Sequence, residues 1–389
     1  MLTEHFHNTK KDTGHYSNDL RYVLSLQNTI AAFEEIKTWE GYAKTPLHSL
    51  DSLASDIGVK NIYYKDESSR FGLGSFKALG GTYGVLKFIH HALKKEIGDE
   101  VSMKDIHAGK YSEQISKYTV TTATDGNHGR SVAFGAKLFG CQCQIYIHSE
   151  VSSGRQKAME DLEATVNRVS GNYDESLQIC IEDAGKNNWH VISDTSYEGY
   201  TKYPRYIMAG YNVMAEEIID QIKDRPLPTH IFLQGGVGSF PGAICGYFWE
   251  KLPGNNIKFV VVESEHAPCL IRSAQKNQMT SVNIKQETMM AGLSCGEPSL
   301  LGWKILKSGT DDFITIDDSS IPGLMRLLAE NNLKIEAGES SVAGLAGLIE
   351  SMEDQKIAEA MELNKESIVL LFGTEGATDP DIYRSIISE

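Results

Sequence analysis

Between residues 118 and 193 short apolar runs alternate with helical stretches, and nothing else in the chain restricts its fold so tightly. Residues 118–123, 144–147, 165–169 and 190–193 read as strands. Residues 129–138, 153–162 and 173–186 read as helices, the second capped by Ser152 or Ser153. Strands separated by helices in this way lie parallel, with the helices packed over them. The pattern resumes after residue 200. Ile207, Tyr211, Met214, Ile218 and Ile222 recur at helical spacing, as a core-facing stripe does. Then come a strand at 230–233, a helix at 243–251, a buried strand at 258–262, a helix at 341–352, a strand at 367–372 and a last helix at 380–387. Upstream, a polar lead precedes a helix at 28–39. Thr45-Pro46-Leu47 breaks that pattern, and a helix at 50–57 ends at Gly58, a natural C-cap. A strand at 62–64 follows, and a helix runs from Lys77 to about residue 96. Residues 98–117 are mixed and charged and give no firm element.

Composition excludes several function classes. A chain of 389 residues with 41% hydrophobic and 23% charged residues has ample material for a core and suggests two or three domains, one of them split. A net charge of −15 disfavours nucleic acid and anionic membrane surfaces as partners. The first residues have no apolar stretch of the signal-peptide kind, and no run approaches the roughly 18 apolar residues of a membrane helix. A cytosolic protein is the expectation. Its six cysteines (141, 143, 180, 245, 269, 295) are scattered, and Cys141-Gln-Cys143 lacks a second pair at zinc spacing, so no metal site and six reduced thiols are expected.

The chemistry begins at Asp66-Glu-Ser-Ser-Arg-Phe-Gly-Leu-Gly-Ser-Phe-Lys77, which follows the 62–64 strand. Gly72 and Gly74 permit a tight bend, and Lys77 enters a helix among Phe71, Leu73, Phe76, Ala78 and Leu79. Burial disfavours an ammonium ion, lowers its pKa and leaves a nucleophilic amine, which is the chemistry of a Schiff-base lysine. Taken alone, a surface lysine opening a helix explains the segment as well. Three further features fall at the C-terminal ends of predicted strands, where open α/β sheets bind ligands. Gly235-Gly236-Val237-Gly238-Ser239 offers free N–H groups and a helix end to an anion. Pro241 occupies the place of the third dinucleotide-fingerprint glycine, and no Gly-Lys-Ser/Thr follows, so a phosphate monoester fits best. In Thr124-Asp125-Gly126-Asn127-His128, Asp125 can act as acid or base, and Asn127 can reach a ring hydroxyl or a carboxylate. An Asp-Gly turn with Asn as a cap is the plain alternative. Thr374, after the 367–372 strand, can face a ring nitrogen or simply cap a helix.

A reactive lysine, an asparagine turn, a glycine cup and a C-terminal threonine, in that order, resemble the tryptophan-synthase-type (fold type II) family of pyridoxal 5'-phosphate enzymes. The likeness runs from about residue 45 to residue 378. It implies an α/β fold of two domains, each an open, mostly parallel twisted sheet flanked by helices. Residues 1–84 with 193–389 would form a large discontinuous cofactor-binding domain, and residues 85–192 a small one carrying the Asp125 turn. It further implies Lys77 as the Schiff-base lysine, Gly235, Gly236, Val237, Gly238 and Ser239 as the phosphate cup, Asn127 on the 3′ oxygen and Thr374 at the pyridine nitrogen. Met290-Ala-Gly-Leu293 and Glu336-Ala-Gly-Glu339 resemble loops around the cofactor. Cys269 and Cys295 neighbour this region. Serine racemases and threonine dehydratases have a Ser-Gly-Asn-His turn. Asp125 in its place, with Phe-Gly-Thr374-Glu375-Gly376 and Asp194-Thr-Ser-Tyr-Glu-Gly-Tyr200, is similar to the diaminopropionate ammonia-lyase family. That resemblance implies elimination from D- and L-2,3-diaminopropionate to pyruvate and ammonia, in a homodimer. Lys77, Asp125 and Asp194 are then the catalytic candidates, and Thr124, Asp125 and His128 the substrate contacts. A serine or threonine dehydratase or racemase of the same fold is the alternative within the class, and a binding protein without turnover the alternative outside it.

Overall fold

The computed structural model describes residues 1–12, 14–171, 173–330 and 333–388. The strands are β1 (Leu2–His7), β2 (Leu47–Ser49), β3 (Asn61–Asp66), β4 (Thr119–Ala123), β5 (Gln142–Ile147), β6 (Thr165–Arg168), β7 (His190–Val191), β8 (His230–Gln234), β9 (Lys258–Ser264), β10 (Asp312–Ile316) and β11 (Ile368–Gly373). The chain divides into two compact units. One comprises Met1–Phe76, Thr195–Gly199 and Tyr211–Glu389, the other Lys77–Asp194 and Tyr200–Gly210.

The first unit holds a seven-stranded sheet in the order β1-β10-β9-β8-β11-β3-β2. Its five inner strands are parallel, and β1 and β2 close the edges antiparallel to β10 and β3. Every residue of β8, β10 and β11 is buried, the continuous apolar pattern of strands covered on both faces. One cluster ties Ile62 and Tyr64 of β3, Phe232 of β8, Val260 and Val262 of β9 and Val369 and Leu371 of β11 to helix residues such as Val342, Leu345 and Leu348. The order explains two elements the sequence did not announce. The alternating, polar β1 is held through His5 and His7, whose ring nitrogens lie 2.8 and 2.9 Å from Asp312 Oδ1, and β2 has only three residues. The stripe from Ile207 to Ile222 lies on two helices, Lys202–Tyr211 and Val213–Gln221, broken at Asn212, whose amide donates to Thr29 Oγ1 at 3.0 Å.

The second unit holds a four-stranded, all-parallel sheet in the order β6-β5-β4-β7. The Lys77–Ile97 helix lies very close to the Asn127–Phe139 helix: a Cβ at Gly81 would fall 1.8 Å from Ser131 Oγ. Thr82 Oγ1 donates to Ser131 O at 2.9 Å across the same contact. The segment 200–210 joins this unit because Gly210 abuts the Leu79 carbonyl, where a Cβ would stand 2.6 Å away. The unassigned stretch 98–117 contains two short helices, Met103–His107 and Ser112–Ile115.

Candidate active site

In the first unit, β8 ends at Gln234 and the Ser239–Lys251 helix begins five residues later. Gly238 between them has φ +94°, a conformation that a side chain strains. Gly236 is hemmed in: a Cβ there would lie 3.1 Å from the Gly292 carbonyl and 3.2 Å from Cys295 Sγ. Pro241 falls in the first turn of the helix, where an N–H has no intrahelical partner to lose. Gly235 N–H is used by the Val262 carbonyl at 2.8 Å. The N–H groups of Gly236, Val237 and Gly238 have no acceptor among the described residues. Gly236 and Gly238 are buried, and buried N–H groups are almost always satisfied, so this cup is shaped for an anion.

At the end of β11, Thr374 is buried at 3% exposure. Its Oγ1 accepts from Gln234 Nε2 at 3.1 Å, and its own O–H has no acceptor among the described residues. The adjacent Glu375 is turned elsewhere: its Oε1 accepts from Ser340 N–H at 3.1 Å. The cup and the unspent hydroxyl sit on neighbouring strands of one sheet, since β8 pairs with β11. The Phe76 N–H donates to the Thr374 carbonyl at 3.1 Å, and the Phe76 ring lies 4.9 Å from that of Phe240. The residue bonded to Lys77 is therefore anchored beside both features. A phosphate on the cup and a pyridine nitrogen on Thr374 fit the residues present. No cluster of His, Cys, Asp or Glu suited to a metal occurs among the described residues, and none of the six cysteines is in a disulfide.

In the second unit, the Lys77 ammonium donates to Asp194 Oδ2. His128 Nδ1 lies 3.8 Å from the same oxygen, while its Nε2 is 2.8 Å from the Ile192 carbonyl. Burial alone pushes the Asp194 carboxyl up, but the charges of His128 and Lys77 and the lysine hydrogen bond outweigh it. The carboxyl is held well below the usual carboxylate range. His128 itself is shifted down by burial, against the pull of Asp194, so it is neutral at pH 7 and the lasting attraction on Asp194 is that of Lys77. Thr124 shapes the turn: its Oγ1 accepts from the Gly126 and Gly129 N–H groups, each at 3.0 Å. Those two N–H groups are thereby unavailable to a substrate carboxylate. Asn127 opens the following helix. Asp125 lies two residues beyond the end of β4, and its Oδ1 is 2.8 Å from His148 Nε2. His148 was not among the residues read from the sequence. The signal was its position, since the register that pairs Ala123 of β4 with Tyr146 of β5, carried on by two residues, matches Asp125 with His148.

The model of the family described as "Pyridoxal-phosphate dependent enzyme" matches residues 38–373. Diaminopropionate ammonia-lyase of Escherichia coli K12 is 38% identical over 357 residues, covering 90% of this chain and 88% of that protein. A crystal structure of holo diaminopropionate ammonia lyase from Escherichia coli superposes with a TM-score of 0.89 at 34% identity, over 99% of this chain and 97% of that one. A second structure of the Escherichia coli enzyme, in complex with an aminoacrylate-PLP azomethine reaction intermediate, gives a TM-score of 0.88 at 34% identity over 100% and 97% of the two chains. The cup of unspent N–H groups, the free hydroxyl donor on the neighbouring strand and these likenesses agree: the chain belongs to the pyridoxal-phosphate-dependent enzymes of fold type II, in the diaminopropionate ammonia-lyase family.

Proposed function

We propose that this protein catalyses the pyridoxal-phosphate-dependent α,β-elimination of 2,3-diaminopropionate, in D and L form, to pyruvate and ammonia. The observation that carries the cofactor assignment is the pair of unmet demands in one sheet: N–H groups of Gly236, Val237 and Gly238 without acceptors, and a Thr374 hydroxyl without one. Lys77 would hold the aldehyde carbon, the cup with Gly235 and Ser239 the phosphate, Asn127 the 3′ oxygen and Thr374 the ring nitrogen. When bound, the cofactor supplies an electron sink for charge released at the substrate Cα.

The remaining work falls to side chains of the chain itself. Lys77, once its amine is free, takes the Cα proton of the L isomer; Asp125 takes that of the D isomer. A positioned base of this kind contributes roughly 10²–10⁴ in rate. Asp194 stays ionised at neutral pH and already holds an ammonium group, that of Lys77. The same property suits it to keep a departing β-amine cationic. His128, fixed through Ile192, borders the carboxylate, and Thr124 sets the turn that presents Asp125.

A homodimer and a cytoplasmic location complete the reading. They are supported by the family and by the lack, among the described residues, of any helix long and apolar enough to cross a membrane. Purified enzyme should convert each diaminopropionate isomer to pyruvate faster than it converts serine to pyruvate or threonine to 2-oxobutyrate. Faster turnover of serine or threonine would favour the dehydratase reading. Absence of a lysine-bound cofactor absorption band would favour a binding protein without turnover.

A further inference from the structure

Gln234 is the last residue of β8, next to the phosphate cup, and is 2% exposed. Its Nε2 faces three acceptors: the Phe372 carbonyl at 2.8 Å, the Ser340 carbonyl at 3.0 Å and Thr374 Oγ1 at 3.1 Å. Its Oε1 is buried and has no partner among the described residues. The orientation of the amide is settled by its surroundings, because the opposite flip would set Oε1 against two carbonyl oxygens. An amide nitrogen donates and does not accept. Thr374 therefore cannot direct its hydroxyl hydrogen at Gln234 Nε2. The hydrogen has to point elsewhere. Ser340 Oγ, 4% exposed, likewise has no partner among the described residues.

We propose that Gln234 is a positioning residue that locks Thr374 as a donor toward the ring nitrogen of the cofactor, and so holds that nitrogen in its unprotonated state. The proposal rests on the cofactor reading above. A neutral pyridine nitrogen carries a lone pair and accepts from a hydroxyl; a pyridinium N–H needs an acceptor instead. With Gln234 donating to one of the two Oγ1 lone pairs, the hydroxyl hydrogen is turned to the first demand. Without the amide, the freed carbonyls of Phe372 and Ser340 compete for the Thr374 hydrogen, and the oxygen lone pairs turn to the ring.

The test measures cofactor binding to the cofactor-free full-length protein, with no turnover involved. The ligands are pyridoxal phosphate and its 1-deaza analogue, in which a ring C–H replaces the nitrogen. The wild type should bind pyridoxal phosphate roughly ten-fold tighter than the analogue, as one hydrogen bond to a buried donor implies. In Thr374→Val that ratio should fall to about one. In Gln234→Met, which leaves Thr374 intact, the ¹⁵N signal of ring-labelled cofactor should move toward the protonated pyridine value, because the ring nitrogen then gains a proton to donate to Thr374. If Gln234→Met is recovered unfolded, Gln234→Glu is read in its place with the same expectation, since a carboxylate accepts the Thr374 hydrogen outright. An unmoved ¹⁵N signal in a folded Gln234 variant overturns the proposal alone. Failure of the wild type to take up pyridoxal phosphate overturns the functional reading and this proposal with it.

Discussion

Asp125 and His148 set each other's chemistry. His148 Nδ1 accepts from the Glu150 N–H at 3.3 Å, so the proton of a neutral imidazole sits on Nε2 and is donated to Asp125 Oδ1. An aspartate held this way keeps one oxygen fixed and the other free to take a proton. Asp125→Asn should lose most turnover of D-diaminopropionate and keep more of the L activity; equal losses on both isomers would remove the two-base scheme. His148→Gln should lower kcat for the D isomer by about ten-fold with little change in KM, the mark of an interaction that matters in the transition state. Lys77→Ala should show no lysine-bound cofactor band and turn over neither isomer. Lys77, Asp125 and Thr374 were legible in the sequence because each stands at a loop that strand, turn and glycine signals mark out. His148 and Gln234 were not, for a lone histidine or glutamine after a strand carries no pattern, and their partners are named only once neighbouring strands are paired.

At the scale of elements, the β8–helix junction is the most constrained. Gly238→Ala puts a Cβ at φ +94° and 3.0 Å from Leu270 Cδ2. Backbone strain of this sort amounts to roughly 1–3 kcal/mol, so equilibrium dialysis should find pyridoxal phosphate bound about ten-fold or more weakly. Behind the cup, Glu263 at the end of β9 accepts from the Leu270 and Ile271 N–H groups, each at 2.7 Å, at the start of the Cys269–Lys276 helix. Burial outweighs those bonds and pushes its carboxyl up to about 8. The folded protein thus binds a proton more tightly than the unfolded chain. The stabilisation is complete below the unfolded value of 4.5 and is lost as pH climbs through 8. Thermal melts should show this fall between pH 5 and 9, and Glu263→Gln should flatten it; an unchanged slope in that variant would assign the fall to other groups. Periodicity located most helices and the buried parallel strands other than β10, which it missed. It could not locate β1 and β2, whose residues look like polar lead and loop until an edge of the sheet receives them, nor the break at Asn212 inside an uninterrupted apolar stripe.

At the scale of the molecule, the first unit encloses a network of four charges. The Arg70 guanidinium meets Glu67 at 2.7 and 2.8 Å and Glu217 at 2.9 and 2.8 Å, and the Lys65 ammonium meets Glu217 at 2.6 Å. All four side chains are essentially unexposed. Two cations balance two carboxylates, so removing one member strands the others. Arg70→Met should destabilise the protein by about 3–5 kcal/mol in denaturant titration. The network also braces the loop before Lys77, where Phe71 holds φ +51° against Trp39 and Tyr42. The sequence disclosed the α/β class from its alternation alone. It did not disclose this network, because Lys65, Glu67 and Arg70 read as an ordinary polar loop until Glu217, far along the chain, is folded onto them.

The place of β11 carries a consequence for biosynthesis. It lies between β8 and β3, each of which it pairs with in parallel, yet it is made after every other strand. On the ribosome the earlier strands must wait, with a slot open at the middle of the sheet, until the segment bearing Thr374 emerges. Chaperone demand should therefore persist until translation is almost finished, and nascent chains arrested before Ile368 should remain sensitive to protease.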